Sequence, residues 1–153
     1  MIECNPQTFF SWSFTAYGLS TGTASIKYQW LSEQGSIITA HRQYDIVKHG
    51  IMSGRWTQEE SGQVIAVAQK PSPFSRSFNL RHASLELTLQ AATAFTRNFE
   101  ILLKGEVIGH IQPAHMFTRR ATVVCPLTIP EDLQLFLFWL VGLSWKRSSE
   151  SND

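Results

Sequence analysis

Two arginines stand in rows that are otherwise apolar. Arg76 shares its parity with Phe74, Phe78 and Leu80, and Arg97 shares its parity with Phe95, Phe99 and Ile101. Residues two apart on a strand face the same side, so both guanidinium groups are expected to point inward with these neighbours. A guanidinium taken out of water needs a carboxylate, carbonyl oxygens or a ligand anion beside it, unless its stem carries the head to a barrel rim. A bulge that reverses the parity, or a structural ion pair, meets this need without any function. A phosphate or lipid headgroup meets it with one. Arg119 and Arg120 add a second cationic pair. Together with Lys104, Lys146 and Arg147 they are read either as a basic rim for anionic membrane or as solvated surface. The candidate site is therefore Arg76, Arg97, Arg119 and Arg120, with an anion or lipid headgroup as its ligand.

Other chemistry is thinly represented. No Gly-x-Ser-x-Gly elbow, phosphate-cradling glycine loop or His-Glu-x-x-His helix occurs. No catalytic residue is assigned, and no enzyme activity is expected. His41, His49, His82, His110 and His115 are scattered, whereas structural zinc requires four converging ligands, so neither a metal nor a cofactor is expected. Cys4 and Cys125 are read as free thiols, with a single bridge between them as the alternative. The 13 Lys and Arg against 12 Asp and Glu leave a net charge of +1, which provides no global field for nucleic acid. The first residues lack a basic stretch followed by an apolar run, and the expected location is the cytoplasm, with a peripheral position at membrane allowed.

The elements that position these residues are mostly strands. With 153 residues, 43% of them hydrophobic and 16% charged, the chain is expected to build one core. Alternation of period two marks Phe10, Trp12 and Phe14, then Ile26, Tyr28 and Trp30, and most clearly Leu85, Leu87 and Leu89. Further strands are predicted near 36–42, 43–49, 53–57, 63–70, 74–82, 94–103, 106–112 and 118–125. Glycine turns at Gly35, Gly62 and Gly105 separate them into hairpins. So many short antiparallel strands must close or stack to protect their edges. Five tryptophans and ten phenylalanines are assigned to packing within this core and not to a binding surface.

The end of the chain changes character. Thr128, Pro130, Glu131 and Asp132 read as a helix start, and Leu133 to Trp145 follow with no polar stripe. Lys146 and Arg147 suit the helix end, and Ser148 to Asp153 are expected to form a disordered polar tail. The domain is thus 1–147, with 148–153 as tail. From Pro130 to Trp145 a helix spans about 24 Å, short of the roughly twenty apolar residues that a membrane crossing needs. Burial within protein is expected, with a membrane anchor or interfacial segment as the alternative. A closed barrel has a lumen that can accept a helix, whereas a sandwich does not.

Repeated hairpins followed by Pro130-Glu131-Asp132, an apolar helix from Leu133 to Trp145, and Lys146-Arg147 resemble the tubby-like superfamily, including its LURP-one-related and phospholipid scramblase-like members. The resemblance covers nearly the whole chain, from Thr8 to Trp145, and it is one of organisation. It implies a closed antiparallel barrel of about twelve strands around a buried carboxy-terminal hydrophobic helix. It also implies a non-enzymatic module that binds anionic membrane lipid or another amphiphile. A structural or protein-interaction domain without a small ligand is the alternative, and a membrane-anchored scramblase-like protein is a second one. No particular Lys or Arg aligns with the family's lipid-binding positions.

Overall fold

An α-helix with apolar side chains on every side must be surrounded, and twelve strands surround this one. The computed structural model describes residues 1–29 and 31–151. Its strands are β1 (Ile2–Pro6), β2 (Phe14–Leu19), β3 (Gly22–Tyr28), β4 (Gly35–Ile38), β5 (Gln43–Lys48) and β6 (Arg55–Glu60). Then come β7 (Gln63–Gln69), β8 (Ser77–His82), β9 (Leu85–Ala91), β10 (Phe99–Leu103), β11 (Glu106–Pro113) and β12 (Ala121–Val124), followed by α1 (Glu131–Ser151). Every strand pairs antiparallel with its neighbours in sequence, and β1 closes the ring by pairing with β12, Ile2 opposite Val123 and Cys4 opposite Ala121. The expected closed barrel around a buried carboxy-terminal helix is present.

Alternation explains the walls. Leu87 and Leu89 face inward while Glu86 and Thr88 face out, and the same rhythm holds for Phe14 and Ala16, Ile26 and Ala24, Phe78 and Leu80. Several inward positions are alanine, namely Ala16, Ala24, Ala66, Ala68 and Ala121, which leaves radial space for the helix. The hairpins at one end are tight. Ser61-Gly62 and Lys104-Gly105 both take positive φ at each residue (51° and 79°, 52° and 81°), the signature of a type I′ turn that matches strand twist.

Within α1, Leu133 to Lys146 are all buried. Specific contacts fix its rotation and depth. Trp139 donates its indole N–H to the Lys27 carbonyl (3.1 Å), the Tyr28 hydroxyl donates to the Trp139 carbonyl (2.7 Å), and the two rings stack 4.8 Å apart. Phe138 meets Phe14 edge-on at 4.9 Å. At the entrance, the Gln58 amide donates to the Asp132 carbonyl (3.0 Å), and Glu131 accepts from the Ser20 amide and hydroxyl. Gly142 is where Tyr28 crosses the helix. A Cβ there would lie 2.1 Å from the Tyr28 hydroxyl oxygen and 3.0 Å from its Cζ.

Several expectations are corrected. β1 had no expected counterpart, although Ile2 and Cys4 alternate with Glu3 and Asn5. The expected strand rows at 10–14, 74–82 and 94–103 begin too early. Phe10, Phe74 and Phe95 lie in loops and are exposed, and the strands start at Phe14, Ser77 and Phe99. Trp30, expected in a strand row, lies outside the described residues. The helix runs on to Ser151, so Ser148–Ser151 are helical and exposed, and Lys146 and Arg147 sit inside the helix instead of at its end. Cys4 and Cys125 are both free, with Cys4 fully buried.

Two outcomes follow from this packing. Aspartate at each position from Leu135 to Leu140 is expected to destabilise the barrel, with no 3.6-residue rhythm of tolerated sites in a thermal melt series. Gly142→Ala is expected to cost about 1–3 kcal/mol in denaturant unfolding, and less in a Tyr28→Phe background, where the closest clashing atom is gone.

Candidate functional site: an arginine-clamped loop rim

In an up-and-down barrel, all connections from odd to even strands lie at one end. Here they are loops 7–13, 29–34, 49–54, 70–76, 92–98 and 114–120, and they form one rim. The helix enters at the opposite, tight-hairpin end and brings its carboxyl end to this rim. Four of the loops share a local sequence: Phe10-Ser11-Trp12, Phe74-Ser75-Arg76, Phe95-Thr96-Arg97 and Phe117-Thr118-Arg119. In each, the hydroxyl oxygen accepts the amide N–H two residues on. Ser13 donates to Ser11 (2.8 Å), Ser77 to Ser75 (3.1 Å), Asn98 to Thr96 (3.0 Å) and Arg120 to Thr118 (3.0 Å). This local bond offers the backbone a turn in place of a strand ladder. It stops each strand short and lifts the phenylalanine off the wall.

The arginines then tie each loop to the next. Arg76 donates to the carbonyls of Ala94 (2.9 Å) and Thr96 (2.6 Å), Arg97 to that of Met116 (3.1 Å), and Arg119 to those of Thr8 (3.4 Å) and Phe9. Each guanidinium also lies over a ring: Arg76 over Phe99 at 5.5 Å, Arg97 over Trp145 at 4.5 Å and Arg119 over Trp12 at 5.1 Å. The inward-pointing row predicted for Arg76 and Arg97 is replaced by half-buried positions at the rim, with carbonyls as partners.

Arg76, Arg97 and Arg119 share one cavity of about 550 Å³, closed on one side by Trp12 and Trp145 and on another by Ser148, Ser149 and Ser151 of the helix end. No carboxylate of the described residues lines it. Burial pushes all three guanidinium pKa values down, and Arg119 adds to this at Arg97 by charge repulsion. They remain cations at neutral pH, because an arginine starts so far above it. The fourth expected residue, Arg120, is exposed and faces a separate hollow beside Phe9 and Phe117, which Arg119 also borders. The wider basic rim read from the sequence does not form as drawn, because Lys104 lies in the β10–β11 hairpin at the other end. Lys146 is buried and bonded to Glu150 at 2.5 Å.

Arg147 belongs to an ion cluster that fastens the helix end to the rim. Its guanidinium and the Lys48 amine (2.7 Å) both bond the Glu33 carboxylate, and both cations lie 5.4 Å over the ring of the buried Trp56. The Trp56 indole in turn donates to the Glu33 carbonyl (2.9 Å). Hydrogen bonding from Arg147, and then from Lys48, lowers the Glu33 carboxyl to about 2 despite its partial burial. Burial lowers the rim amine of Lys70 to about 8. No group of three His, Cys, Asp or Glu that could hold a metal occurs among the described residues.

Sequence reasoning missed the exposed rings of this rim. Half of the ten phenylalanines, Phe9, Phe10, Phe74, Phe95 and Phe117, are exposed and do not pack in the core. The recurring Phe-Ser/Thr-Arg triplet was the available signal. Comparison with known proteins returned no matching family model, no matching curated protein and no matching solved structure.

The Glu33 cluster generates a pH prediction. A carboxylate whose folded pKa is depressed adds stability that is fully present above its ordinary value of 4.5 and is lost as the pH falls toward about 2. Glu33→Gln is therefore expected to cost about 2 kcal/mol at pH 7, and to flatten the dependence of urea midpoint on pH across that acidic window.

Proposed function

We propose that this chain is a non-enzymatic binding module for anionic lipid or a similar anionic amphiphile. One observation carries the reading: three partly desolvated guanidinium groups line a single cavity that no carboxylate of the described residues neutralises. Arg97 and Arg119 each keep guanidinium N–H groups beyond those bonded to loop carbonyls, and Trp12 and Trp145 give the cavity apolar walls beside its cations. A phosphate or carboxylate headgroup with an adjoining apolar portion complements both. The barrel threaded by its own terminal helix supports the relation to the tubby-like superfamily as part of this reading. The apolar segment that would anchor a scramblase-like protein is packed inside the barrel, which favours the peripheral reading. No helix among the described residues is long and apolar enough to cross a membrane.

Co-sedimentation with vesicles tests the reading. Phosphatidylserine-containing vesicles are expected to bind the protein more tightly than phosphatidylcholine alone. Changing Arg76, Arg97 and Arg119 together to Gln should weaken that binding about a hundredfold, at roughly 1 kcal/mol per cation near an anionic surface. Gln retains a donor for the loop carbonyls, and an unchanged melting temperature would show that the rim is intact. Undiminished binding by the folded variant would favour a protein-interaction role without a small ligand.

A further inference from the structure

The exposed rings at the rim are a built feature. Phe10, Phe74, Phe95 and Phe117 occupy the same place in four copies of one loop, and they are 86, 95, 99 and 90% exposed. Each is held out by the same hydroxyl-to-amide turn, and three of the four are followed by a clamped arginine. The two remaining loops present Leu31 and Ile51 at 92 and 88% exposure. Every connection at this end thus ends in a large apolar side chain in solvent. Solvation alone would not place an aromatic at all four equivalent tips, since exposed apolar groups in a group of this size mark an interaction surface.

The charges beneath the tips identify the surface. The six loops hold five Lys or Arg (Lys70, Arg76, Arg97, Arg119, Arg120) against one acid, Glu33, which is already paired with Lys48 and Arg147. At the opposite end Arg42 and Lys104 of the hairpins are matched by Glu131 and Asp132 at the helix start, so no excess of cations stands there. A second copy docked rim to rim would place these cations against one another. A bilayer with anionic headgroups offers acyl chains to the rings and negative charge at the level just above them, in the order in which the rim presents its groups.

We infer that the barrel docks end-on to an anionic membrane, with the six loop tips inserted into the interfacial region and the arginine ring at headgroup depth. This deepens the lipid-binding reading and rests on it, but the two are separable: the tips supply insertion and the arginine cavity supplies headgroup selection, and of the four phenylalanine tips only Phe95 also borders that cavity. The helix stays inside the barrel throughout.

An environment-sensitive nitrobenzoxadiazole label on Phe10→Cys, in a Cys125→Ser background, reports insertion. A label on Ser84→Cys, in the β8–β9 hairpin at the far end, is the control. With vesicles of phosphatidylcholine and phosphatidylserine, the label at 10 is expected to brighten, shift to the blue and be quenched by acyl-chain nitroxide lipids, while the label at 84 stays unchanged. Changing Phe10, Phe74 and Phe117, the three tips that do not border the arginine cavity, together to Ser should weaken vesicle binding by about a hundredfold, at roughly fivefold per partly inserted ring, and abolish the salt-resistant part. It should leave both melting temperature and binding of soluble dihexanoyl phosphatidylserine unchanged. Insertion without binding of that soluble lipid would sink the cavity reading and leave this one standing. Vesicle binding with a silent label at 10 would overturn end-on docking and leave the cavity reading intact. A dimer lost in the Ser variant, with vesicle binding unaffected, would overturn it in favour of self-association. No vesicle binding by the wild-type protein would overturn both.

Discussion

The enclosure of α1 is the constraint on which the other features depend. A helix whose buried run extends from Leu133 to Lys146 leaves no face for solvent, and the barrel is the shape that gives every one of those side chains a neighbour. The wall that encloses the helix mixes inward alanines, such as Ala16, Ala24 and Ala66, with large residues such as Phe14, Trp56 and Phe78. Enclosure dictates where polar groups go. Trp139, Tyr28 and Gln58 each send a donor to a backbone carbonyl, so the interior keeps close packing with its donors satisfied, and among the described residues only the Gln58 Oε1 is buried without a hydrogen-bond partner.

The two ends of the barrel differ because they do different mechanical jobs. At the entry end, short hairpins and the bonds from Ser20 and Gln58 hold the start of the helix. At the exit end, longer loops leave a mouth, and cations brace it from loop to loop and from helix to loop. The bracing runs in one sense, each arginine reaching the following loop around the ring, until Trp12 stands where a fourth arginine would be. The Glu33, Lys48 and Arg147 cluster braces the opposite arc. Rigid loops of this kind keep exposed side chains at a defined height, which a flexible rim would not.

Much of the architecture was legible in the sequence. The leucines of β9 alternate without ambiguity, and the apolar run after Pro130 fits nothing but a buried helix or a lipid segment. β1 was harder, because only Ile2 and Cys4 carry its pattern and its pairing partner β12 is at the far end of the chain. The loops were misread for a specific physical reason. Phe74-Ser75-Arg76-Ser77-Phe78 alternates as a strand does, but the Ser75 hydroxyl captures the Ser77 amide and the chain turns before the ladder begins. Parity arguments are blind to such a local bond. The arginines were therefore singled out correctly as anomalous, and of the two placements the sequence left open, inward or at the rim, they take the rim with carbonyls as partners, while Arg120 was grouped with residues from which its loop turns it away. Setting the four Phe-Ser/Thr segments beside one another would have exposed the loop motif, since strands have no reason to repeat it.

Ring closure and filling both depend on late arrivals. β1 cannot complete the ring until β12 exists, and the lumen has no filling until α1, the last of these elements to be synthesised, has been made. Eleven strands, β1 to β11, must therefore wait with an open seam and an empty interior while translation continues. Contacts of such long sequence separation form slowly, and exposed edges in the interval invite association with other chains. The barrel is accordingly a fold that matures only once α1 has been made, and the shielding of its nascent edges matters as much as the stability of the finished molecule.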